Sequence, residues 1–175
     1  MKLRRLVVGT LAAVVVAGCG TTRTITVTRT MTVAGTGKTG AGPPGQIVQF
    51  GYVKSLTRKG DGFRMQFDPA WLLSGLTANT AAAQDGVVQP GEPVPNDNYI
   101  LNEGHRLLTY KVAANAHVTV LTQGVTGSPI TVDQLAELAS GKNPFPKPLF
   151  EPITTGFWIL VNIDTVRSLD QQYRP

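Results

Sequence analysis

Cysteine occurs once in this 175-residue chain, at Cys19. No disulfide can therefore close within it, even in a compartment that would permit one. Histidine occurs only as His105 and His117, too few for the three or four ligands of a zinc site without carboxylates beside them. No Gly-x-Ser-x-Gly element occurs, so the strained serine of a hydrolase elbow has no signature. A spanning helix needs about 20 apolar residues, and the apolar run Leu6–Gly18 has 13. The chain also lacks excess positive charge where it could fold. Its formal charge is +5, but Lys2, Arg4 and Arg5 precede the apolar run, and Arg23, Arg29 and Lys38 lie in a low-complexity stretch. From Gln46 onward that leaves 16 − 3 − 3 = 10 basic residues against 11 acidic ones, a net charge near −1. A nucleic-acid-binding domain carries its positive charge on one face or in a groove, so nucleic acid is excluded as a partner.

What is present begins with Met1-Lys2-Leu3-Arg4-Arg5, the apolar run, and the small residues before Cys19. A charged segment, an apolar core and a small-residue cleavage point are the grammar of an export signal. An ordinary cleaved signal needs no cysteine at that point, and an uncleaved anchor would need a longer run. Val16-Ala17-Gly18-Cys19 resembles the lipobox of bacterial lipoproteins. The resemblance implies cleavage between Gly18 and Cys19. It also implies that Cys19 is the mature N-terminus, its thiol a thioether to a diacylglycerol anchor that fatty acid such as palmitate supplies. Two acyl chains anchor stably where one is marginal. The expected address is the outer, extracytoplasmic face of the cell membrane. The expected organisation is a signal peptide (1–18), a tether (19–45) and one β-rich domain (46–175).

In the tether, threonines at even positions from Thr22 to Thr32 alternate with Arg23, Ile25, Val27, Arg29, Met31 and Val33. Period-two alternation is a strand signal. The composition equally fits a Thr-rich extended spacer, which suits O-glycosylation; the spacer is the favoured reading, and a self-associating ribbon the other. Residues 34–45 have almost nothing to bury and are expected to be disordered. Gly35-Thr36-Gly37-Lys38-Thr39 imitates the end of a P-loop, but the required earlier glycine is Thr32 and Pro43-Pro44 blocks a following helix. No nucleotide or other cofactor is expected.

The domain opens with a hairpin. β-formers run from Ile47 to Arg58, Lys59–Gly62 turns, and Phe63, Met65 and Phe67 alternate with polar residues. Gly51 suggests a bulge or bend. Asp68-Pro69 reads as the start of a short helix through Leu73, with a second turn from Thr77 to Gln84. Residues 98–102, 106–112 and 116–122 read as a three-strand meander turning at Asn102–Gly104 and Ala113–Asn115. Thr131 caps a helix whose apolar residues Val132, Leu135, Leu138 and Ala139 share one face. The prolines of 143–152 exclude a regular element. Gly156–Val161 reads as a strand buried on both faces, followed by a last strand from Thr165 to about Asp170. The result is a mainly β fold: a small antiparallel barrel, OB- or SH3-like, with two short helices. Phe50-Gly51-Tyr52-Val53, Phe67-Asp68-Pro69-Ala70, Pro95–Ile100 and the stretch from Phe157-Trp158-Ile159 to Tyr173 resemble a group of exported lipoproteins of high-GC Gram-positive bacteria. That group has no assigned activity, so the resemblance implies a unitary domain and an address, not a mechanism.

Chemistry-bearing residues are sparse. In a meander, His105 and His117 would sit about 20 Å apart, too far to share a metal, and His117 would face outward. Asp85, Asn96, Asp97, Asn98, Asn102 and Glu103 offer oxygen ligands for calcium, though helix caps and Asx-turns account for the same residues. No metal is expected. Trp71, Trp158, Tyr52, Tyr99 and Tyr110 read first as core, and otherwise as the lining of a sugar- or peptide-binding groove. The candidate ligand-binding residues are thus Asp97, Asn98, Glu103, Trp71 and Trp158. The expected function is a non-catalytic binding or structural module of the cell envelope, with a protein or cell-wall polymer as partner. The rival is an envelope hydrolase using Asp68 and Asp85 as a carboxylate pair.

Overall fold

Phe63, Met65 and Phe67 alternate inward along β2 (Gly62–Ser74), which pairs antiparallel with β1 (Gln46–Lys59) through the tight Lys59–Gly62 turn. A computed structural model gives this fold and describes residues 45–104 and 106–174. The signal, lipobox and tether expectations, and His105, lie outside the described residues. β1 also pairs with β6 (Phe157–Asn162), β6 with β7 (Thr165–Gln171), β7 with β4 (Leu108–Val120), and β4 with β2. The circuit β1–β2–β4–β7–β6–β1 is a closed five-strand barrel. Following partners Ile47–Val161–Val166–Val112–Phe63–Arg58 returns to β1 at 58 − 47 = 11 residues further on. Such stagger tilts the strands steeply and leaves an interior that side chains fill. Met65, Phe67, Phe157 and Ile159 lie there fully buried, each worth about 2–3 kcal/mol of apolar transfer.

The described residues are mainly β, as expected, with 47% of them in strands and two short helices. Within this mostly antiparallel barrel one pair, β4 and β7, runs parallel. That pair and the strand order belong to the OB-type Greek-key barrel. The element order is also the expected one, but several segments differ. Residues 106–122 form no hairpin: β4 runs straight through Ala113-Ala114-Asn115. Asp68-Pro69 starts no helix, because β2 continues to Ser74. There β2 exchanges one neighbour for another: Phe63–Phe67 pair with β4, and Trp71–Ser74 with β3 (Asn98–Leu101). The strands β3 and β4 are therefore successive partners of β2 rather than of each other. Gly51 marks no bulge. It faces Pro69 across the ladder, and a Cβ there would lie 2.8 Å from the Phe67 ring. The register of β1 shifts instead between Val53 and Ser55.

The helix α2 (Val132–Ala139) begins on a capping box. Thr131 Oγ1 accepts from the Gln134 amide (3.1 Å), and the Thr131 amide donates to Gln134 Oε1 (2.9 Å). It buries Val132 and Leu135 into the barrel core. β5 (Ser128–Ile130) is a short edge strand on β4, where Pro129 is tolerated. The other helix, α1 (Gly75–Gln84), packs Ala78 and Ala82 with Leu73, Tyr99 and Val94 in a small satellite cluster. Gly75 has φ +59, which lets the chain turn from strand into helix. No described helix is long and apolar enough to cross a membrane.

Candidate functional site

Side chains that alternate along β1 put Phe50, Tyr52 and Lys54 on the outside of the barrel wall. Their cross-strand partners there are Trp158 of β6 and Ala70 and Asp68 of β2. The three aromatics form a continuous strip. The Tyr52 and Phe50 rings meet edge-on at 6.0 Å, and the Phe50 and Trp158 rings at 5.3 Å with a 58° tilt. Phe50 is buried, while Tyr52 and Trp158 are half-buried and present part of their rings to solvent. Gly156, at φ +104, lies so close that a Cβ would be 2.6 Å from Phe50 Cζ; only glycine lets the chain cross the ring there.

Polar groups bound the strip. The bulge in β1 falls at Lys54, and a bulge re-aims a side chain. Lys54 Nζ lies 5.6 Å from the Tyr52 ring centroid and 3.1 Å from Asp68 Oδ2. Asp68 is only 8% exposed and also accepts from Asn102 Nδ2 (3.3 Å). A buried carboxylate held by a cation and an amide is a satisfied one. Trp158 Nε1 donates to Gln172 Oε1 (2.8 Å), and Gln172 Nε2 donates to the Tyr173 carbonyl (2.6 Å). Burial pushes the Tyr52 phenol above its ordinary pKa; Arg174 opposes that rise and Asp68 adds to it. Tyr52 thus stays a neutral hydrogen-bond donor across the physiological range.

The other residues singled out in the sequence are dispersed. Asp85 follows α1 and accepts from the Tyr99 hydroxyl (2.7 Å). That bond, then burial, raises the Tyr99 pKa. Asp68 and Asp85 thus belong to separate hydrogen-bonded groups, one on the barrel wall and one in the satellite. Asp97 is exposed at φ 54 in a 3-10 turn, and Asn98 Nδ2 donates to the Asn96 carbonyl (2.8 Å). Glu103 is exposed in the loop between β3 and β4. Among the described residues, no three His, Cys, Asp or Glu side chains are grouped as metal ligands. Trp71 is half-buried opposite Leu101, beyond the barrel. Tyr110 is an inward residue against Phe67, its ring 6.1 Å away. His117 faces outward from β4, exposed. Of the candidate aromatics, the structure brings together Tyr52 and Trp158. It adds Phe50 and Lys54 of β1 and Gln172 after β7, and it brings the candidates Asp68 and Asn102 beside them.

No family model matches the chain, and no curated protein or solved structure is similar to it.

Proposed function

We propose that this chain is a lipid-anchored, exported lipoprotein whose barrel is a non-catalytic binding module for a cell-wall polymer. The observation that carries the binding reading is the strip Tyr52–Phe50–Trp158, flanked by Lys54, Asp68 and Gln172. Flat, partly exposed rings stack on the apolar faces of sugar rings, and flanking charges and amides take up hydroxyls. The lipobox Val16–Cys19 supports the anchor and the extracytoplasmic address.

Two experiments test the proposal. Isolated cell-wall material should pull down the native chain, and Trp158→Ala and Tyr52→Ala should each weaken retention by roughly tenfold, the loss of about 1.4 kcal/mol of stacking. Undiminished retention of both variants would remove the strip from the binding face. Cys19→Ala should abolish incorporation of labelled fatty acid; normal labelling of that variant would sink the anchor.

A further inference from the structure

The two mouths of the barrel are finished differently. One receives Val132 and Leu135 of α2. Near the other, Tyr110 Oη donates to Gln49 Oε1 (3.0 Å), a bond that runs from β4 to β1. Side chains two residues apart on a strand share a face. Ile47, two before Gln49, and Leu108, two before Tyr110, therefore point inward one step further out. Their cross-strand partners agree, since Val161 and Phe67 are both buried. Yet Ile47 is 61% and Leu108 37% exposed. These inward-facing apolar side chains are thus open to solvent, Ile47 mostly and Leu108 in part.

Ile163, at the tip of the β6–β7 turn, lies at the same end and is 73% exposed. Its φ is +40 and that of Asp164 is +51, the geometry of a tight hairpin turn that favours Asn and Gly. A β-branched residue is a costly choice there twice over, for its backbone and for its contact with water. The Ile163 amide donates to the Gly45 carbonyl (3.1 Å). The residues preceding the described part of the chain thus join the domain beside Ile163.

We propose that this open mouth, through Ile47, Leu108 and Ile163, rests on the lipid bilayer. The proposal depends on the reading of Cys19 as the lipid anchor. From Cys19 to Gly45 is 45 − 19 = 26 residues, which even fully extended reach no more than about 90 Å. The attachment point is at the uncovered mouth, so this is the end the anchor draws toward the membrane. Confinement raises the local concentration of the surface, and a contact too weak for a free protein becomes well populated. Apolar side chains immersed at the headgroup boundary are the usual form of such contacts. The aromatic strip lies on the barrel wall rather than at this mouth, so docking leaves it open to a polymer.

The test uses the full chain purified from producing cells and reconstituted into vesicles of phosphatidylglycerol and phosphatidylethanolamine. Ile163→Cys supplies a thiol for an environment-sensitive dye. Glu137→Cys, on the exposed side of α2, supplies the comparison. Brominated lipid should quench the dye at 163 roughly threefold more than the dye at 137. Equal quenching at the two positions, or none at 163 in chains that float with the vesicles, overturns the docking alone. The anchor is read separately: acylation of Cys19 leaves the native chain without a free thiol. Dye uptake by the native chain, or failure to float, removes the anchor and the docking with it.

Discussion

Gln171 is the side chain whose loss the barrel should feel most sharply among its polar residues. It lies in β7, 8% exposed. Its Oε1 accepts from the buried Leu121 amide at 2.8 Å. Its Nε2 faces the carbonyls of Glu151 (3.2 Å) and Pro152 (3.0 Å) and the Thr155 hydroxyl (3.1 Å). One amide thus fastens the end of β4 and the 151–155 segment to the closing strand. In Gln171→Ala the orphaned Leu121 N–H costs about 1–3 kcal/mol, and the vacated volume about 1 kcal/mol more. A total near 3 kcal/mol is a large share of the roughly 5–15 kcal/mol that such a domain possesses. Gln171→Glu isolates the chemistry from the shape. The carboxylate still accepts from Leu121 but offers no hydrogen to three acceptors. It should cost about as much as alanine at neutral pH, and less near pH 4, where a protonated carboxyl can donate again. Urea unfolding followed by tryptophan fluorescence measures both variants. Gln171→Glu within about 0.5 kcal/mol of the native chain at neutral pH would refute the reasoning.

Three further outcomes are expected. Ile163→Asn should raise the melting temperature, read by circular dichroism, by about 3 °C, because it relieves roughly 1 kcal/mol of left-handed backbone cost; a fall would mean that packing of Ile163 against Gly45 outweighs its backbone. Gly156→Ala should destabilise by about 3 kcal/mol and shift Trp158 emission, since its methyl would displace the Phe50 ring; unchanged emission and stability would mean the ring yields freely. Burial raises the pKa values of Tyr52 and Tyr110, with Asp164 adding to the latter. A raised folded value means that native protein holds its protons longer. Stability is therefore complete below the unfolded value near pH 10 and declines as pH rises through the folded one. Tyr52→Phe should flatten that alkaline decline in pH-dependent unfolding; an identical decline would place the cause elsewhere.

Much of the barrel was legible because local and global preferences agree in it. The alternation Phe63, Met65, Phe67, the Lys59–Gly62 turn and the Thr131 capping box each announce an element that the structure contains. The errors share one physical cause: strands that change neighbours part-way. Pro69 falls where β2 passes from β4 to β3, so its missing amide breaks no ladder on that side and a strand tolerates it. Ala113, Ala114 and Asn115 fall where β4 has left β2 and not yet met β5, and where its register with β7 shifts. Small and polar residues are acceptable there, although locally they spell a turn. β5 is three residues long, too short for any periodicity. The candidate site was half legible. Tyr52 and Trp158 stood out as aromatics, but their union through Phe50 depends on pairing between strands about a hundred residues apart in the chain, which no local pattern encodes.

The placement of β7 has a consequence for when this chain can fold. β7 lies between β6 and β4 and joins them, so the barrel has a gap until residues 165–171 are present. Those residues follow every other barrel strand in the chain. A nascent chain ending at Asp164 leaves the β4 and β6 edges unpaired and its core without Val166 and Leu169, and the parallel pairing with β4 is a long-range closure that forms slowly. The barrel therefore closes only once its last strand has been made.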